Sequence, residues 1–232
     1  MKNPWVIIGV ITIVLFGGAI WFSSVAGERN NEGVVIQSNI KGNPDAEVTL
    51  TEFSDLQCPA CASFVPAIDE VMNQYGESIR FEYKHFPLPI HSYAQQAAVA
   101  AEAAGQQGKF YPYHDVLFEK QQEWATSQNP TLLFMKYADE LELDTALFRR
   151  HMNSSLLRDK VRADFAEGRD LGITGTPTFF LNGERMQIQT FQDFVEQIAL
   201  AVDPEAAAGL IRPDEDESVV GESTGEAVRF GL

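Results

Sequence analysis

The two cysteines of this chain, Cys58 and Cys61, lie three positions apart between a predicted strand and a predicted helix. Residues 48–53 are β-branched and apolar, which favours a strand. Residues 59–75 place apolar side chains at intervals of three and four, which predicts a helix beginning just after Cys58. Two cysteines are too few for a disulfide-rich scaffold or for a zinc site built from cysteines alone. The pattern therefore constrains the fold to a strand-to-helix junction that carries a single dithiol.

The rest of the chain predicts an α/β fold with a mixed sheet covered by helices. Residues 79–86 alternate, so that Ile79, Phe81, Tyr83 and His85 share one face of a strand. The other predicted elements are a possible strand at 34–39, helices at 92–105, 110–124, 131–141 and 145–170, a hairpin with strands at 178–181 and 186–188 joined through Asn182-Gly183, and a closing helix at 191–202. This order of strands and helices fits a mixed sheet.

Both ends of the chain differ from the part that is expected to fold. Residues 5–22 are apolar with aromatic residues at both ends, which predicts one N-terminal transmembrane helix within an anchor at 1–27. The alternative is a signal peptide cleaved near Ala26. Both interpretations place the domain at 28–202 on the extracytoplasmic side of the cell membrane. Residues 203–232 are strongly acidic and predict a disordered tail, and the alternative is a tail that docks a partner.

The charge balance excludes one class of partner. The chain has 17 Lys and Arg residues against 33 Asp and Glu residues, a net charge of -16. Nucleic-acid binding depends on basic side chains that displace counterions from phosphates. No basic patch is visible in the sequence, so we expect no nucleic-acid partner.

The position of the cysteines at a helix N-terminus predicts redox chemistry. There the backbone N–H groups and the helix dipole favour a thiolate at Cys58. A thiolate attacks disulfides, and a thiol of low pKa is also a good leaving group. Cys61, one turn into the helix, would be the shielded partner. Pro59 fits the first helical position, where a backbone N–H has no helical acceptor.

Two alternatives compete with a redox interpretation of the cysteines. One is a zinc site, which would need two further ligands, and the histidines available are His85, His91, His114 and His151. These histidines lack the spacing of metal ligands, so we expect no metal or other cofactor. The other alternative is a pair of structural cysteines.

Other residues near the motif in sequence or in the expected fold are candidates for the same site. Glu52, on the strand before the motif, would exchange protons with Cys61 if it is buried, whereas the alternative is an exposed surface acid. Asp55 is expected to cap backbone N–H groups. A cis bond between Thr176 and Pro177 would turn the Thr176 backbone towards the disulfide, and the alternative is an ordinary trans proline at the start of a strand.

Four stretches of the chain resemble the DsbA-like thiol–disulfide oxidoreductases of the thioredoxin superfamily. They are residues 51–61 (TEFSDLQCPAC), 84–88 (KHFPL), 107–118 (QGKFYPYHDVLF) and 171–183 (LGITGTPTFFLNG). They occur in the order of the family and cover most of residues 45–200. The Pro-Ala dipeptide between the cysteines resembles the membrane-anchored BdbD type more than the soluble enterobacterial DsbA.

The resemblance implies a thioredoxin-like mixed sheet with a helical domain inserted at about 89–165. It also implies that Cys58 is the nucleophile, Cys61 its buried partner and Pro177 the cis-proline. Glu52 stands where the family has its buried acid. Some BdbD-type proteins bind calcium, but no ligand set for calcium is visible in this sequence.

Together these features predict an exported, membrane-tethered dithiol oxidase that acts through the motif Cys58-Pro-Ala-Cys61. Its substrates would be unfolded or reduced exported proteins. A membrane redox partner resembling DsbB or a vitamin K epoxide reductase would reoxidise it. Two alternatives stay open: a disulfide reductase or isomerase with the same motif, and a tethered binding or chaperone module whose disulfide is structural.

Overall fold

The computed structural model describes residues 4–205, without some side chains of the first helix. Within this part the strands are β1 (Asn39–Gly42), β2 (Val48–Ser54), β3 (Ile79–His85), β4 (Thr178–Leu181) and β5 (Glu184–Arg185). The helices there are α1 (Pro4–Asn31), α2 (Pro59–Tyr75), α3 (Ala94–Gly105), α4 (Phe110–Glu119), α5 (Gln121–Ala125), α6 (Pro130–Glu140), α7 (Thr145–Met152), α8 (Ser155–Asp170) and α9 (Phe191–Val202). The expected thioredoxin-like α/β fold is confirmed.

The described strands form one mixed sheet in the order β1-β3-β2-β4-β5. The central strand β2 runs parallel to β3 and antiparallel to β4. In this register Glu52 lies between Tyr83 on one side and Phe179 on the other. Because side chains alternate along a strand, Leu50, Glu52 and Ser54 share one face of the sheet. This face is the one that α2 covers.

The opposite face of the sheet packs against α8. Phe53 contacts Phe86 and Phe180 edge to face, and Phe86 stacks on Phe165 with ring centroids 4.6 Å apart. A Cβ atom on Gly168 would lie 2.6 Å from the Phe86 ring. This close approach explains why α8 carries a glycine there. The helix can therefore lie directly on the aromatic layer.

Helices α3 to α7 form a helical insert between β3 and α8. The alanine-rich α3 is almost wholly buried, and its short side chains let neighbouring helices pack closely. The core of the insert contains the ring pairs Tyr113–Phe148 and Trp124–Phe134. The insert begins near the motif end of β3, so its first loop lies close to the cysteines.

Two predicted strands differ from the structure. In the segment predicted as a strand at 34–39, the backbone N–H and carbonyl of Val35 hydrogen-bond with the side-chain amide of Gln106. The edge strand β1 begins only at Asn39, the last residue of that segment. In the hairpin, Asn182 and Gly183 both have positive φ, 51° and 83°. Because the turn has only these two residues, strand pairing continues directly after it. The second strand is therefore Glu184–Arg185 and not the predicted 186–188.

Two predicted helices are divided in the structure. The helix expected at 110–124 is interrupted at Lys120, which leaves the helical region with φ -99° and ψ 19°. The helix expected at 145–170 is interrupted before Ser154, whose side chain accepts from the N–H of Leu157 and caps a new helix. The helical character of both segments is confirmed.

No helix in residues 4–205 is long and apolar enough to cross a membrane, as far as the described side chains show. The transmembrane helix expected at 5–22 is therefore not shown, although α1 includes that segment. Some of its side chains lie outside the described part of the chain, as does most of the predicted acidic tail. Asn31 at the end of α1 hydrogen-bonds with Ser155 and so joins that helix to α8.

Candidate active site

The strand-to-helix junction positions both cysteines. β2 ends at Ser54, and the Cys58 N–H donates to the carbonyl of Asp55 at 2.9 Å, which closes the turn. Cys58 is the N-cap of α2 with extended backbone angles, φ -79° and ψ 121°, and Pro59 occupies the first turn. Cys61 follows one turn into the helix. The first sulfur therefore lies at the positive end of the helix dipole, as predicted.

The two free thiols differ in exposure and in neighbours. Cys58 is 7 % exposed and Cys61 is 0 % exposed, so Cys58 is only slightly more accessible than its partner. The Cys58 Sγ lies 3.5 Å from the carbonyl oxygen of Thr176. The bond from Thr176 to Pro177 is cis, as the resemblance implies. The N–H of Asp55 points at the Cys61 Sγ at 3.5 Å.

The surroundings give the two thiols opposite proton affinities. Hydrogen bonding from the Cys61 thiol lowers the pKa of Cys58 to about 5, against the opposing effect of burial. Backbone N–H groups of the first helical turn add to this stabilisation of the thiolate. Burial raises the pKa of Cys61, and the nearby charges of Cys58 and Glu52 raise it further. At neutral pH the site therefore holds one thiolate and one thiol.

Glu52 lies on the sheet face beneath α2 and is 1 % exposed. The alternative of an exposed surface acid is therefore wrong. Burial raises the pKa of Glu52 to about 7, against the opposing effect of the Ser54 hydroxyl, and the charge of Cys58 acts in the same direction as burial. Among the described residues no group hydrogen-bonds to its Oε2. A carboxyl group with this pKa can both give and take a proton near neutral pH.

Asp55 accepts hydrogen bonds from backbone N–H groups, as expected, although neither of these groups belongs to a helix. Its Oδ1 accepts from the N–H of Gln57 at 2.7 Å. Its Oδ2 accepts from the N–H of Leu88 at 2.8 Å and lies 2.7 Å from His91 Nδ1. The carboxylate therefore joins the turn before the motif to the loop that leads into the insert.

Two glutamines that the sequence did not indicate also hold the motif loop. The Gln57 side chain accepts from the N–H of Tyr93 at 2.8 Å. Gln121, buried in the insert, donates to the carbonyls of Leu56 at 2.8 Å and Cys58 at 3.1 Å. No local pattern marks Gln121, because it reaches the motif from a distant helix.

Ser54 and Tyr83 are two further residues that the sequence analysis missed. Both are 1 % exposed and lie on the same sheet face as Glu52. Strand alternation could have identified them, since Ser54 follows Glu52 by two positions and Tyr83 belongs to the predicted buried face of β3.

Each of the four histidines considered for a zinc site has a protein partner. These partners are Glu102 for His85, Asp55 for His91, Asp115 for His114 and the carbonyl of Glu32 for His151. In the described part of the chain, no three His, Cys, Asp or Glu side chains come together as a metal site.

The mixed sheet, the dithiol at the start of α2 and the facing cis-proline define a thioredoxin-fold protein with a Cys-X-X-Cys site. A protein-family model described as Thioredoxin matches residues 35–199, and the chain belongs to this family.

Known proteins are similar to this chain in sequence and in fold. "Na(+)/H(+) antiporter NhaA 1" of Salinispora arenicola is 37 % identical over 183 residues, which are 78 % of this chain and 26 % of that protein. The chain thus spans about a quarter of the length of this relative. A thioredoxin-like oxidoreductase from Silicibacter pomeroyi shares the fold with a TM-score of 0.61, 24 % identity and coverage of 74 % and 95 % of the two chains. BdbD from Bacillus subtilis does so with a TM-score of 0.62, 21 % identity and coverage of 74 % and 94 %.

Proposed function

We propose that this protein is a thiol–disulfide oxidoreductase that oxidises dithiols in exported proteins. The observation that carries the proposal is the opposite proton affinity of the two sulfurs at the start of α2. Cys58 is stabilised as a thiolate, whereas Cys61 is kept as a buried thiol. An acidic thiol at this position stabilises the reduced enzyme and so favours oxidation of the substrate.

The reaction begins from the enzyme disulfide between Cys58 and Cys61. A substrate thiolate attacks the Cys58 Sγ, a mixed disulfide forms there, and the bond between the two cysteines breaks. The electron pair leaves on Cys61, which takes a proton from Glu52. The second substrate thiolate then attacks the substrate sulfur of the mixed disulfide and releases Cys58 as a thiolate. The substrate loses two electrons, and the enzyme dithiol gains them.

The backbone beside the cysteines offers a place for an extended polypeptide. The Thr176 carbonyl oxygen lies 3.5 Å from the attacked sulfur. We propose that the substrate chain pairs with this backbone as a short extra strand. Such pairing recognises backbone and suits unfolded proteins of varied sequence.

We also propose that the domain acts outside the cytoplasm and is reoxidised by a membrane redox partner resembling DsbB or a vitamin K epoxide reductase. The apolar segment at 5–22 supports export. Similarity to a stretch of proteins named as antiporters supports a membrane setting. Labelling of Cys58 in intact cells with a membrane-impermeant thiol reagent, after treatment with a membrane-impermeant reductant that opens the disulfide, tests the location. Labelling only after cell lysis would contradict it.

The reduction potential of the cysteine pair tests the direction of the reaction. The full chain is equilibrated with glutathione buffers, and the dithiol fraction is read by alkylation. We expect a potential between about -120 and -180 mV, in the range of strong oxidants and isomerases. A potential of about -270 mV would instead match a reductase, and the proposed direction would be wrong.

Variants separate an enzyme from a binding module. We expect Cys58→Ser to abolish oxidation of a reduced model protein, and Cys61→Ser to accumulate the mixed disulfide at Cys58. Ser63→Ala, at an exposed position in the same helical turn, is the matched control and should keep full activity. Full activity of Cys58→Ser in cells would favour the chaperone interpretation.

A further inference from the structure

Three buried polar atoms without a hydrogen-bond partner in the described part of the chain lie together beneath the cysteines. They are Glu52 Oε2, Ser54 Oγ and Tyr83 Oη. All three residues are 1 % exposed. Buried polar atoms are normally paired, since an unpaired one destabilises the fold. The Ser54 hydroxyl nevertheless lies close enough to Glu52 and Tyr83 to oppose the rise in the pKa of each, so the three groups form one cluster that calls for an explanation in terms of function.

The register of the sheet brings these three side chains to one place. Glu52 and Ser54 are two positions apart on β2 and point to the same face. Tyr83 is the direct neighbour of Glu52 across the parallel pair. Cys61 lies above this face, held by the N–H of Asp55 where β2 ends. Glu52, Ser54 and Tyr83 therefore lie side by side on the sheet face beneath the redox pair.

Tyrosine hydroxyls elsewhere in this fold are of both kinds, since those of Tyr113 and Tyr111 have partners, whereas that of the buried Tyr137 has none in the described part of the chain. The Tyr113 hydroxyl donates to the carbonyl of Phe134 at 2.8 Å. The Tyr111 hydroxyl donates to the carbonyl of Asn39 at 2.8 Å. Tyr83 is distinguished from these two by its position beside Glu52.

We propose that Ser54 and Tyr83 are positioning residues whose hydroxyl groups hold Glu52 and adjust to its protonation state during each redox cycle. This inference rests on the proposed function, in which Glu52 exchanges a proton with Cys61. A hydroxyl group can donate to a carboxylate or accept from a carboxylic acid after a simple rotation. Both states of Glu52 thus find a partner after small side-chain movements.

The proton balance of each step follows from this arrangement. When the enzyme disulfide opens, the Cys61 thiolate takes the proton of the Glu52 carboxylic acid, and the hydroxyl hydrogens turn towards the new carboxylate. For reoxidation, the Cys58 thiolate first attacks a disulfide of the membrane partner, so that a mixed disulfide forms and one partner thiolate is released. Glu52 then takes the proton back from Cys61, and the Cys61 thiolate attacks the Cys58 Sγ. The bond from Cys58 to the partner then breaks, and the partner leaves with the electron pair.

The titratable groups that act on Glu52 come from three elements around it. They are Cys58 and Cys61 on α2, Tyr83 on β3 and Tyr111 on α4. β4 contributes Phe179, which does not titrate. The Tyr83 ring also contacts the rings of His85 and His114. Ser54→Ala keeps all these groups and is therefore the cleaner comparison, whereas Tyr83→Phe removes one of them.

A direct test is the titration of the Glu52 carboxyl carbon by NMR in the reduced full chain. The signal is assigned by its loss in Glu52→Gln. Hydrogen bonds donated to a carboxylate favour the charged form, so removing them raises the pKa. We expect Ser54→Ala and Tyr83→Phe each to move the titration upwards, with a combined shift of roughly one pH unit in the double variant. Tyr113→Phe, which also removes a buried tyrosine hydroxyl, should leave it unchanged.

A kinetic measurement adds a readout of the same effect. The rate at which Cys61 resolves a mixed disulfide of Cys58 with glutathione should shift its pH midpoint in the same direction. Coincident titrations of parent and double variant would overturn the proposal. If Tyr83→Phe does not fold, an unchanged titration in Ser54→Ala overturns it. Failure of the proposed function would show separately, as a parent protein that titrates normally but oxidises no substrate.

Discussion

Two buried glutamates of this fold have opposite surroundings. Glu52 beneath the cysteines is 1 % exposed, and Glu102 on α3 is 2 % exposed. The Oε1 of Glu102 accepts from Asn39 Nδ2 at 2.7 Å and lies 2.9 Å from both His85 Nε2 and Lys160 Nζ. For Glu52 Oε2 there is no such partner among the described residues.

The partners decide how each acid titrates. Burial on its own would raise the pKa of Glu102, but the hydrogen bond and charge of His85 and the charge of Lys160 outweigh it and lower the pKa. For Glu52 burial prevails, and the pKa rises to about 7. A buried acid with charged partners stabilises the fold as a fixed ion, whereas a buried acid without them can exchange protons.

We expect the largest change in the free energy of unfolding from replacing Glu102, the buried acid with charged partners. Glu102→Leu would leave Lys160 and His85 buried beside an apolar side chain, with only Asp164 still close to Lys160. Breaking a buried ion pair from one side costs about 3–5 kcal/mol. We expect a loss of that size in the free energy of unfolding, measured by urea denaturation.

An exposed ion pair provides the control for this measurement. Glu167→Gln removes the partner of Lys84 on the surface, where the acid is 48 % exposed. Such pairs contribute about 0–1 kcal/mol, so this variant should remain close to the parent. If Glu102→Leu were equally close to the parent, the buried network would not be a source of stability.

Replacing Glu52 should stabilise the protein, whereas replacing Glu102 should destabilise it. The pKa of Glu52 is about 7 in the folded protein against an ordinary value of 4.5. The folded state therefore holds the proton more tightly, and stability is lost as the pH rises from 4.5 through 7. Glu52→Gln cannot ionise, so it should stabilise the reduced protein by about 3 kcal/mol at about pH 8. We expect no such gain at about pH 4, where Glu52 of the parent is mostly protonated in both the folded and the unfolded state.

Urea denaturation of the reduced protein at both pH values checks this result. Glu102→Gln is the matched control, because it makes the same chemical change at the acid that has partners. That variant should destabilise the protein at about pH 8, since it removes one of the two acids beside the buried Lys160 charge. A Glu52→Gln variant that is less stable than the parent at high pH would contradict the assigned titration.

Local patterns in the sequence predicted most of the fold. The bounds of α2 and α9 and the buried face of β3 follow directly from apolar periodicity. The break before Ser154 could not be predicted in this way. Its hydroxyl donates to Asn31, which is distant in sequence, so the end of one helix and the start of another depend on a tertiary contact.

In the candidate site, too, some residues could be predicted from the local sequence and others could not. Cys58 and Cys61 could be placed at a helix N-terminus because their position depends only on neighbouring residues. The burial of Glu52 depends on what covers β2, which a single strand does not reveal. Gln121 and His91 reach the motif from the insert, and only the three-dimensional structure brings them there.

Asp55 is a third buried carboxylate, and it should give the smallest effect. Its partners are the N–H groups of Gln57 and Leu88 and the ring of His91. In Asp55→Asn one side-chain oxygen still accepts a hydrogen bond, but the new amide group cannot accept from the Leu88 N–H. We expect a loss of about 1–2 kcal/mol in urea denaturation. His91→Ala, which keeps both backbone contacts, should lose less. If it lost as much as Asp55→Asn, the histidine rather than the backbone N–H groups would be what stabilises this carboxylate.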